Sequence, residues 1–288
     1  MALTLITWNV QWFCGLDNVV SVERVIAHAR ALADFDALCL QEVADDYPGL
    51  EGGAGFDQAQ RVQALLPGFE VHFGAAVDER GPDGRRQRFG NLVATRLPVR
   101  QVRHHALPWP ADGGVRSMPR MCTSVTVDSA LGPVRLMTTH LEFYSARQRM
   151  AQARALVDLH HEACAHAAQP PLQDASGGPF QSKAHTASAI LCGDFNLERH
   201  EAEYAVLGAE PDAEASPGAS ALRDAWPLAH GSRPPAPTFR LHDRRYGPEP
   251  ISCDYVFVSD DLAPRVRAVE VDTETTVSDH QPVLLRLG

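Results

Sequence analysis

The sequence predicts an α/β fold in which two mixed β-sheets pack face to face with helices outside. Three observations predict it. Strand-like and helical periodicities alternate along the 288 residues, and the strand segments outnumber the helical ones. Many strand segments are separated by hairpin-length connections, which join antiparallel neighbours, whereas a purely parallel sheet needs long crossovers. Stacked sheets with helices on their outer faces satisfy both patterns. Apolar residues make up 44% of the chain, enough for a sizeable core. No internal repeat or linker stands out, so residues 1–288 are expected to form one domain.

The elements follow in order. Leu3 to Val10 reads as a strand. Val22, Val25, Ile26, Ala29 and Leu32 recur at helical spacing. Asp36 to Val43 is a short apolar run with a polar end, as in a buried strand. Asp57 to Leu66 reads as a helix stopped by Pro67-Gly68. Phe69 to Val77 and Gly90 to Arg96 read as strands, with Asp78 to Arg88 as a polar, Gly-rich hairpin connection. Met121 to Val127 and Val134 to His140 form a further pair, with a turn at Gly132-Pro133. A long helix begins at Ser145, where Ser145-Ala146-Arg147-Gln148 has capping-box form, and runs to about Ala167. Gln169 to Lys183 looks like a surface insertion. Ser188 to Cys192 is a buried strand leading into Gly193-Asp194-Phe195-Asn196. Glu210 to Ser220 and His230 to Pro250 are loop-like. Ile251 to Val258, Arg265 to Val271 and Gln281 to Leu287 are the last strands.

Charge and cysteine usage narrow the function classes. A net charge of −10 argues against a protein that coats nucleic acid through a basic face. It does not exclude a nuclease, because acidic metal ligands raise the negative count and a bound cation offsets it locally. The six cysteines contain no C-x-x-C pair, and several lie in apolar runs, so they read as buried reduced thiols of a cytoplasmic protein. No apolar run approaches the ~20 residues of a membrane helix, so no membrane span is expected.

The informative feature is a set of polar residues at the ends of apolar strands. Asn9 follows Leu5 to Trp8, Glu42 follows Leu38 to Gln41, and His140 follows Leu136 to Thr139. Asp194 and Asn196 follow Ile190 to Gly193. Asp254 lies in Ser252 to Val256, and Asp279 and His280 precede Gln281 to Leu285. Strand ends are where α/β folds gather ligands and catalytic groups. Each tag alone is an ordinary turn or a solvated strand end; the ordered conjunction is what carries the argument. Hydrolysis of a phosphate ester needs this inventory: carboxylate and amide oxygens for a hard cation, a base for water, and donors for the phosphoryl oxygens. No G-x-S-x-G and no G-x-x-x-x-G-K-[ST] is present, which disfavours serine hydrolases and P-loop enzymes.

In their order the tags resemble the endonuclease/exonuclease/phosphatase superfamily. The matching segments are Thr7-Trp8-Asn9, Leu40-Gln41-Glu42, Gly90-Asn91-Leu92-Val93, Pro119-Arg120, Thr139-His140-Leu141, Gly193-Asp194-Phe195-Asn196, Thr238-Phe239, Cys253-Asp254-Tyr255 and Ser278-Asp279-His280. The resemblance implies a four-layer α/β sandwich and a phosphoric ester hydrolase dependent on Mg²⁺ or Mn²⁺. It implies Glu42 as a direct metal ligand, with Asn9 and Asp279 completing the site directly or through water. His280 would be the catalytic histidine, held by Asp254. Asp194 would orient or deprotonate water, and Asn196 would hold the phosphate. His140 would donate to a phosphoryl oxygen or assist the leaving group, and Asn91 and Arg120 would position the phosphate. Whether Asp194 or His280 is the base, and whether one metal acts or two, stay open.

Departures locate the chain within that group. Val43-Ala44-Asp45 follows Glu42 where abasic-site endonucleases carry Thr or Cys and then Lys, which disfavours that subfamily. Gly90 to Val99 is similar to uncharacterised bacterial members. Cys253 stands where many relatives have an aliphatic residue, and a small thiol should pack there. His104-His105 and His160-His161 point in different directions within each pair and read as structural. Trp109, Phe143 and Tyr144 are candidates for stacking on a substrate ring. Arg85, Arg86 and Arg88 form a small basic patch that reads as a solvated hairpin tip. The first expectation is a monomeric phosphodiesterase or nuclease acting on DNA or RNA. The alternative is the same chemistry on a phospholipid headgroup or small phosphorylated metabolite. A scaffold protein without catalysis would show losses at the tags, and none is seen.

Overall fold

The computed structural model of the chain describes residues 2–172, 174, 176, 178–180, 185–211 and 218–288. Parts of the expected insertion at Gln169 to Lys183 and of the expected loop at Glu210 to Ser220 lie outside the described residues. The first sheet contains β1 (Leu3–Asn9), β2 (Ala37–Tyr47), β3 (Ala54–Asp57), β4 (Glu70–Arg80), β5 (Arg86–Thr95), and later β12 (Val266–Val271) and β13 (Val283–Leu287). Its order is β12-β13-β1-β2-β5-β4, with β3 paired to β2. The second sheet contains β6 (Val99–Ala106), β7 (Met121–Ser129), β8 (Gly132–His140), β9 (Ala189–Asp194), β10 (Leu222–Asp224) and β11 (Asp254–Ser259), in the order β10-β11-β9-β8-β7-β6.

Each sheet has one parallel pair at its centre, β1 with β2 and β8 with β9, and is antiparallel elsewhere. A helix bridges each parallel pair: α1 (Val22–Leu32) for the first and α3 (Ala146–Ala168) for the second. The two halves thus share a plan that no sequence repeat reveals.

Strand alternation builds the layers. Leu3, Leu5 and Cys39 turn inward to meet Val125, Leu136 and Ile190 of the other sheet. Ile6, Trp8, Leu38 and Leu40 turn outward under α1 and α2 (Gln58–Leu65). Met137, Leu191 and Phe257 turn outward under α3 and α4 (Ala202–Leu207). The result is the expected four-layer sandwich. Among the described residues all six cysteines are free and buried.

Several sequence expectations need correction. The hairpin connection expected over Asp78 to Arg88 is mostly strand, because β4 and β5 pair out to Arg80 opposite Arg86 and leave a tight turn at Gly81 to Arg85. The turn expected at Gly132-Pro133 sits one step earlier, since Ser129 already pairs with Gly132. The capping box at Ser145 is half made. Ser145 Oγ accepts from Gln148 N at 3.1 Å, but the Gln148 amide reaches away to Pro110 O at 2.9 Å. Five strands and α-helices had no sequence signal: β3, β10, the polar edge strand β6 and the six-residue helices α4 and α5 (Ala225–His230). α4 has no side-chain cap and rests on packing, with Leu207 in the core under α3, whereas at the start of α5 Asp224 accepts from Trp226 N.

Candidate active site

The C-terminal ends of the two central parallel pairs meet at one place, and the polar tags arrive there together. Asn9 closes β1, while His140 and Asp194 lie opposite each other at the ends of β8 and β9. Asp254 pairs with Asp194 from the other side. Glu42 sits in a β-bulge between Leu40 and Val43 with φ of 59°, and that irregularity re-aims its side chain. Gly193 precedes Asp194 with φ of 137°, and a Cβ there would come 1.9 Å from Thr139 O, so only glycine permits this strand approach. The loop carrying Asp279 and His280 is tied to β1 by Trp8 Nε1 donating to His280 O (2.9 Å) and Ser278 Oγ donating to Asn9 O (2.7 Å).

The hydrogen bonds assign orientations. His280 Nδ1 lies 2.9 Å from Asp254 Oδ2, and its Nε2 lies 3.6 Å from Asp194 Oδ2. Phe239 stacks on the His280 ring at 4.2 Å. Asn9 Nδ2 donates to Glu42 Oε1 (3.1 Å) and Asp194 Oδ2 (2.9 Å), while its Oδ1 accepts from Gln11 N (3.1 Å). Asn9 therefore holds two carboxylates and does not turn its amide oxygen into the cavity. Asn196 Nδ2 reaches His140 Nε2 (2.9 Å) and Leu141 O (3.0 Å). With both amide hydrogens engaged, Asn196 fixes the histidine instead of offering a donor to phosphate. His140 Nε2 then accepts, which leaves the proton on Nδ1.

Arg120 is buried, and its Nε donates to the buried Glu142 at 3.2 Å. Its Nη1 is buried with no hydrogen-bond partner. An unpaired guanidinium nitrogen of this kind is costly unless an anion completes it.

Burial sets the protonation pattern. It raises the Glu42 and Asp194 carboxyls, and it raises Asp279 to about 6, with Glu42 nearby adding to the effect. His140 is held well below its usual range, first by burial and then by the charges of Arg120 and His280. For His280 burial pulls down, but the carboxylates of Asp254 and Asp194 outweigh it and the imidazole is raised. Glu42, Asp194 and Asp279 all face one cavity. Carboxylate oxygens are the donors a hard divalent cation takes, and this cavity supplies three such side chains. Asp194, Cys253, Asp254 and His280 also cluster, with candidate ligand atoms within 4.8 Å of one another. There the Asp254 oxygen is taken by His280, and burial keeps the Cys253 thiol protonated, so this cluster reads as a histidine–carboxylate relay.

The cavity has a volume of about 310 Å³ and is lined by Glu42, Arg120, His140, Asp194, Asn196, Asp279 and His280 among others. Asn9 and Asp254 stand behind these groups. Asn91 lies between the sheets, donating to Met121 O at 3.1 Å, and lines only a small void behind Arg120. A model of the Endonuclease/Exonuclease/phosphatase family matches residues 6–280. The chain belongs to that family. No curated protein matches it. Among solved structures, a family member from Beutenbergia cavernae is 26% identical with a TM-score of 0.65, covering 99% of this chain and 72% of its own. The mannosyl-6-phosphatase of Bacteroides thetaiotaomicron is 18% identical, TM-score 0.65, with 100% of both chains covered. TDP2 of D. rerio, complexed with a single-strand DNA product, is 19% identical, TM-score 0.65, covering 99% and 98%. These last two share the fold and differ in what their names say they act on.

Family membership brings phosphoesterase chemistry as the common theme, and the structure adds groups that motif reading missed. Glu142, two residues after His140, holds Arg120; its only sequence signal was its place just past a tagged strand. Trp12, Met118 and Tyr246 line the cavity from three separate loops. Of the stacking candidates, Phe143 and Tyr144 line the cavity, whereas Trp109 lies elsewhere and donates to Ser117 Oγ. His160 is a structural group, bonded to Arg135 and Ser220 O. No described helix is long and apolar enough to cross a membrane.

Proposed function

We propose that this chain is a divalent-metal-dependent phosphodiesterase that cleaves its ester by attack of water. One observation carries the reading: Arg120, whose buried Nη1 has no hydrogen-bond partner, lines the same cavity as the Glu42, Asp194 and Asp279 carboxylates. An anion completes the arginine, and a cation completes the carboxylates; a phosphate ester with its metal supplies both. Glu42 and Asp279 would hold the Mg²⁺ or Mn²⁺ ion, with Asn9 fixing the Glu42 oxygen. When bound, the ion supplies Lewis-acid polarisation of the phosphoryl group.

The chain's own residues do the rest. The Arg120 guanidinium and the Nδ1–H of His140 bind phosphoryl oxygens. Asp194 and His280, 3.6 Å apart, serve the same end of an in-line displacement, the end where water enters. His280 is held by Asp254 through Nδ1 and its Nε2 lies 3.6 Å from Asp194 Oδ2, so Asp194 takes the proton from water while His280 faces the developing charge. The water oxygen bonds to phosphorus and one ester P–O bond breaks. The leaving alkoxide departs toward the open mouth and takes a proton from solvent. All these groups belong to residues 1–288 of one copy, which supports a single catalytic domain that needs no second subunit.

The test is hydrolysis of bis-p-nitrophenyl phosphate with Mg²⁺ or Mn²⁺, beside its monoester, single- and double-stranded DNA, RNA and sphingomyelin. His280→Ala and Asp194→Asn should each lower turnover by ~100-fold or more with the fold intact. Near-normal rates in both refute the roles, and activity on the monoester alone refutes the diesterase reading.

A further inference from the structure

We infer that the substrate carries an apolar or aromatic group directly beside its phosphate, and that the rim of this cavity is built to receive it; the inference rests on the phosphodiesterase reading. Trp12, Tyr47, Leu50, Val77, Phe89 and Met118 pack into an apolar cluster that is separate from the three layers of the core, and all six line the catalytic cavity. Across from them a chain of rings leads to the catalytic histidine. Tyr144 meets Phe143 at 4.8 Å, Phe143 meets Tyr246 at 6.2 Å, Tyr246 meets Phe239 at 5.9 Å, and Phe239 stacks on His280. Tyr144 is 47% exposed and Tyr246 45%, an exposure of large rings that a core-packing role does not require. A cavity with a polar floor and apolar walls orients a ligand by its polar end and binds it by its apolar one.

The charges at the mouth point the same way. A nucleic-acid strand brings further phosphates on either side of the scissile one, and these call for free cations. The arginines of the nearby hairpin are already matched: Arg85 with Asp46 (3.1 Å) and Asp83 (2.8 Å), Arg86 with Asp78 (2.6 Å), and Arg88 with Asp45. Arg245 is matched with Glu51 (3.1 Å) and Asp243. Arg116 lies over the Tyr144 ring at 5.2 Å and, among the described residues, is a cation of the mouth that no carboxylate matches. Most arginines around the mouth are thus neutralised, Arg116 and Arg240 excepted, while the wall beside the phosphate-binding floor is apolar.

The experiment uses the full chain with Mn²⁺ and two diesters that share a leaving group, phenyl p-nitrophenyl phosphate and methyl p-nitrophenyl phosphate. Each kcat/KM is divided by that ester's rate with hydroxide, and a single-stranded oligothymidylate is run beside them. The phenyl ester should lead by ~10-fold or more, the scale on which apolar pockets discriminate. Leu50→Ser and Tyr144→Ser, both at partly exposed positions and checked for folding by circular dichroism, should each narrow that lead to ~3-fold or less. Equal rates for the two esters overturn the inference and leave the phosphodiesterase reading standing, as does a lead that neither variant narrows. Faster cleavage of the oligonucleotide than of the phenyl ester also overturns it. No metal-dependent hydrolysis of any diester overturns both readings.

Discussion

Replacing Glu142 with glutamine isolates the contact that holds Arg120 in place. The two side chains are 1% and 7% exposed, and Arg120 Nε lies 3.2 Å from Glu142 Oε2. At an effective dielectric of about 20 that separation corresponds to roughly 5 kcal/mol of gross attraction. Part of it offsets the cost of burying both ions, and breaking such a pair from one side typically costs ~3 kcal/mol. The glutamine keeps the shape and can still accept from Tyr144 N, so the loss comes from charge and from a donor facing a donor. Freed from its anchor, the Arg120 guanidinium should lose its fixed position at the cavity. Glu142→Gln is expected to lower stability by ~2–3 kcal/mol and kcat/KM for bis-p-nitrophenyl phosphate by ~10–100-fold. Urea denaturation and steady-state kinetics measure the two losses. Arg120→Met and the double variant close a cycle, which should return a coupling of ~2 kcal/mol in stability. A coupling near zero, or a Glu142→Gln enzyme within about twofold of the parent in kcat/KM, would refute the idea that Glu142 positions Arg120.

Three further outcomes follow from the same structure. His160 is buried with Nδ1 accepting from Arg135 Nη2 (2.8 Å) and Nε2 donating to Ser220 O (2.9 Å), and burial followed by the Arg135 charge depresses it from 6.5 to about 4. Its folded value lies below its unfolded one, so its contribution of at most ~3 kcal/mol is present above pH 6.5 and lost as pH falls toward 4; His160→Gln should flatten urea midpoints across that window, and an unchanged slope counts against the assignment. Gln58 donates to Trp12 O and accepts from Ala44 N, both at 2.8 Å, so Gln58→Leu should cost ~2–3 kcal/mol by chemical denaturation, and a cost under ~0.5 kcal/mol would show the turn stands without it. Mg²⁺ at about ten times its dissociation constant should stabilise the protein by ~1.4 kcal/mol, a rise of ~3 °C in melting temperature by calorimetry, and no shift with Mg²⁺ or Mn²⁺ would count against the carboxylate site.

The sequence showed the fold and the tags for one physical reason: each tag ends a short apolar run, the mark of a strand buried on both faces. Leu3 to Asn9 and Ala37 to Glu42 were legible on those grounds, as were the histidines and aspartates beyond them. What stayed hidden depends on contacts between distant segments. Glu142 is one more acidic residue in a loop until Arg120 is brought beside it. The apolar rim draws Trp12, Tyr47, Leu50, Val77, Phe89 and Met118 from well-separated stretches, none of which is periodic in itself. Edge strand β6 reads Val-Arg-Gln-Val-Arg-His-His-Ala, and its alternation is broken where the register shifts between Val99 and Gln101. The amides of Asn9 and Asn196 were correctly located, yet their orientations follow from a hydrogen-bond network that no single position encodes.

That network sits on backbone held against its own preference. Among the described non-glycine residues with positive φ, Gln11 (45°), Trp12 (43°), Glu42 (59°) and Asn196 (51°) all line the cavity, and Phe13 (62°) extends the left-handed turn that Gln11 and Trp12 begin. Each such residue costs about 1–2 kcal/mol against a right-handed or extended backbone. The cost is offset by specific anchors: Gln58 on Trp12 O, Asn9 Oδ1 on Gln11 N, and Asp194 Oδ1 on Asn196 N at 2.9 Å. Two of those anchors come from residues that also handle the proposed chemistry. The arrangement therefore couples local stability to catalysis. Loosening Asn9 would release Gln11 from its left-handed turn and free Glu42 and Asp194 at once, so damage there should spread through both the rim and the floor of the cavity, whereas a change at the exposed Trp109 should stay local.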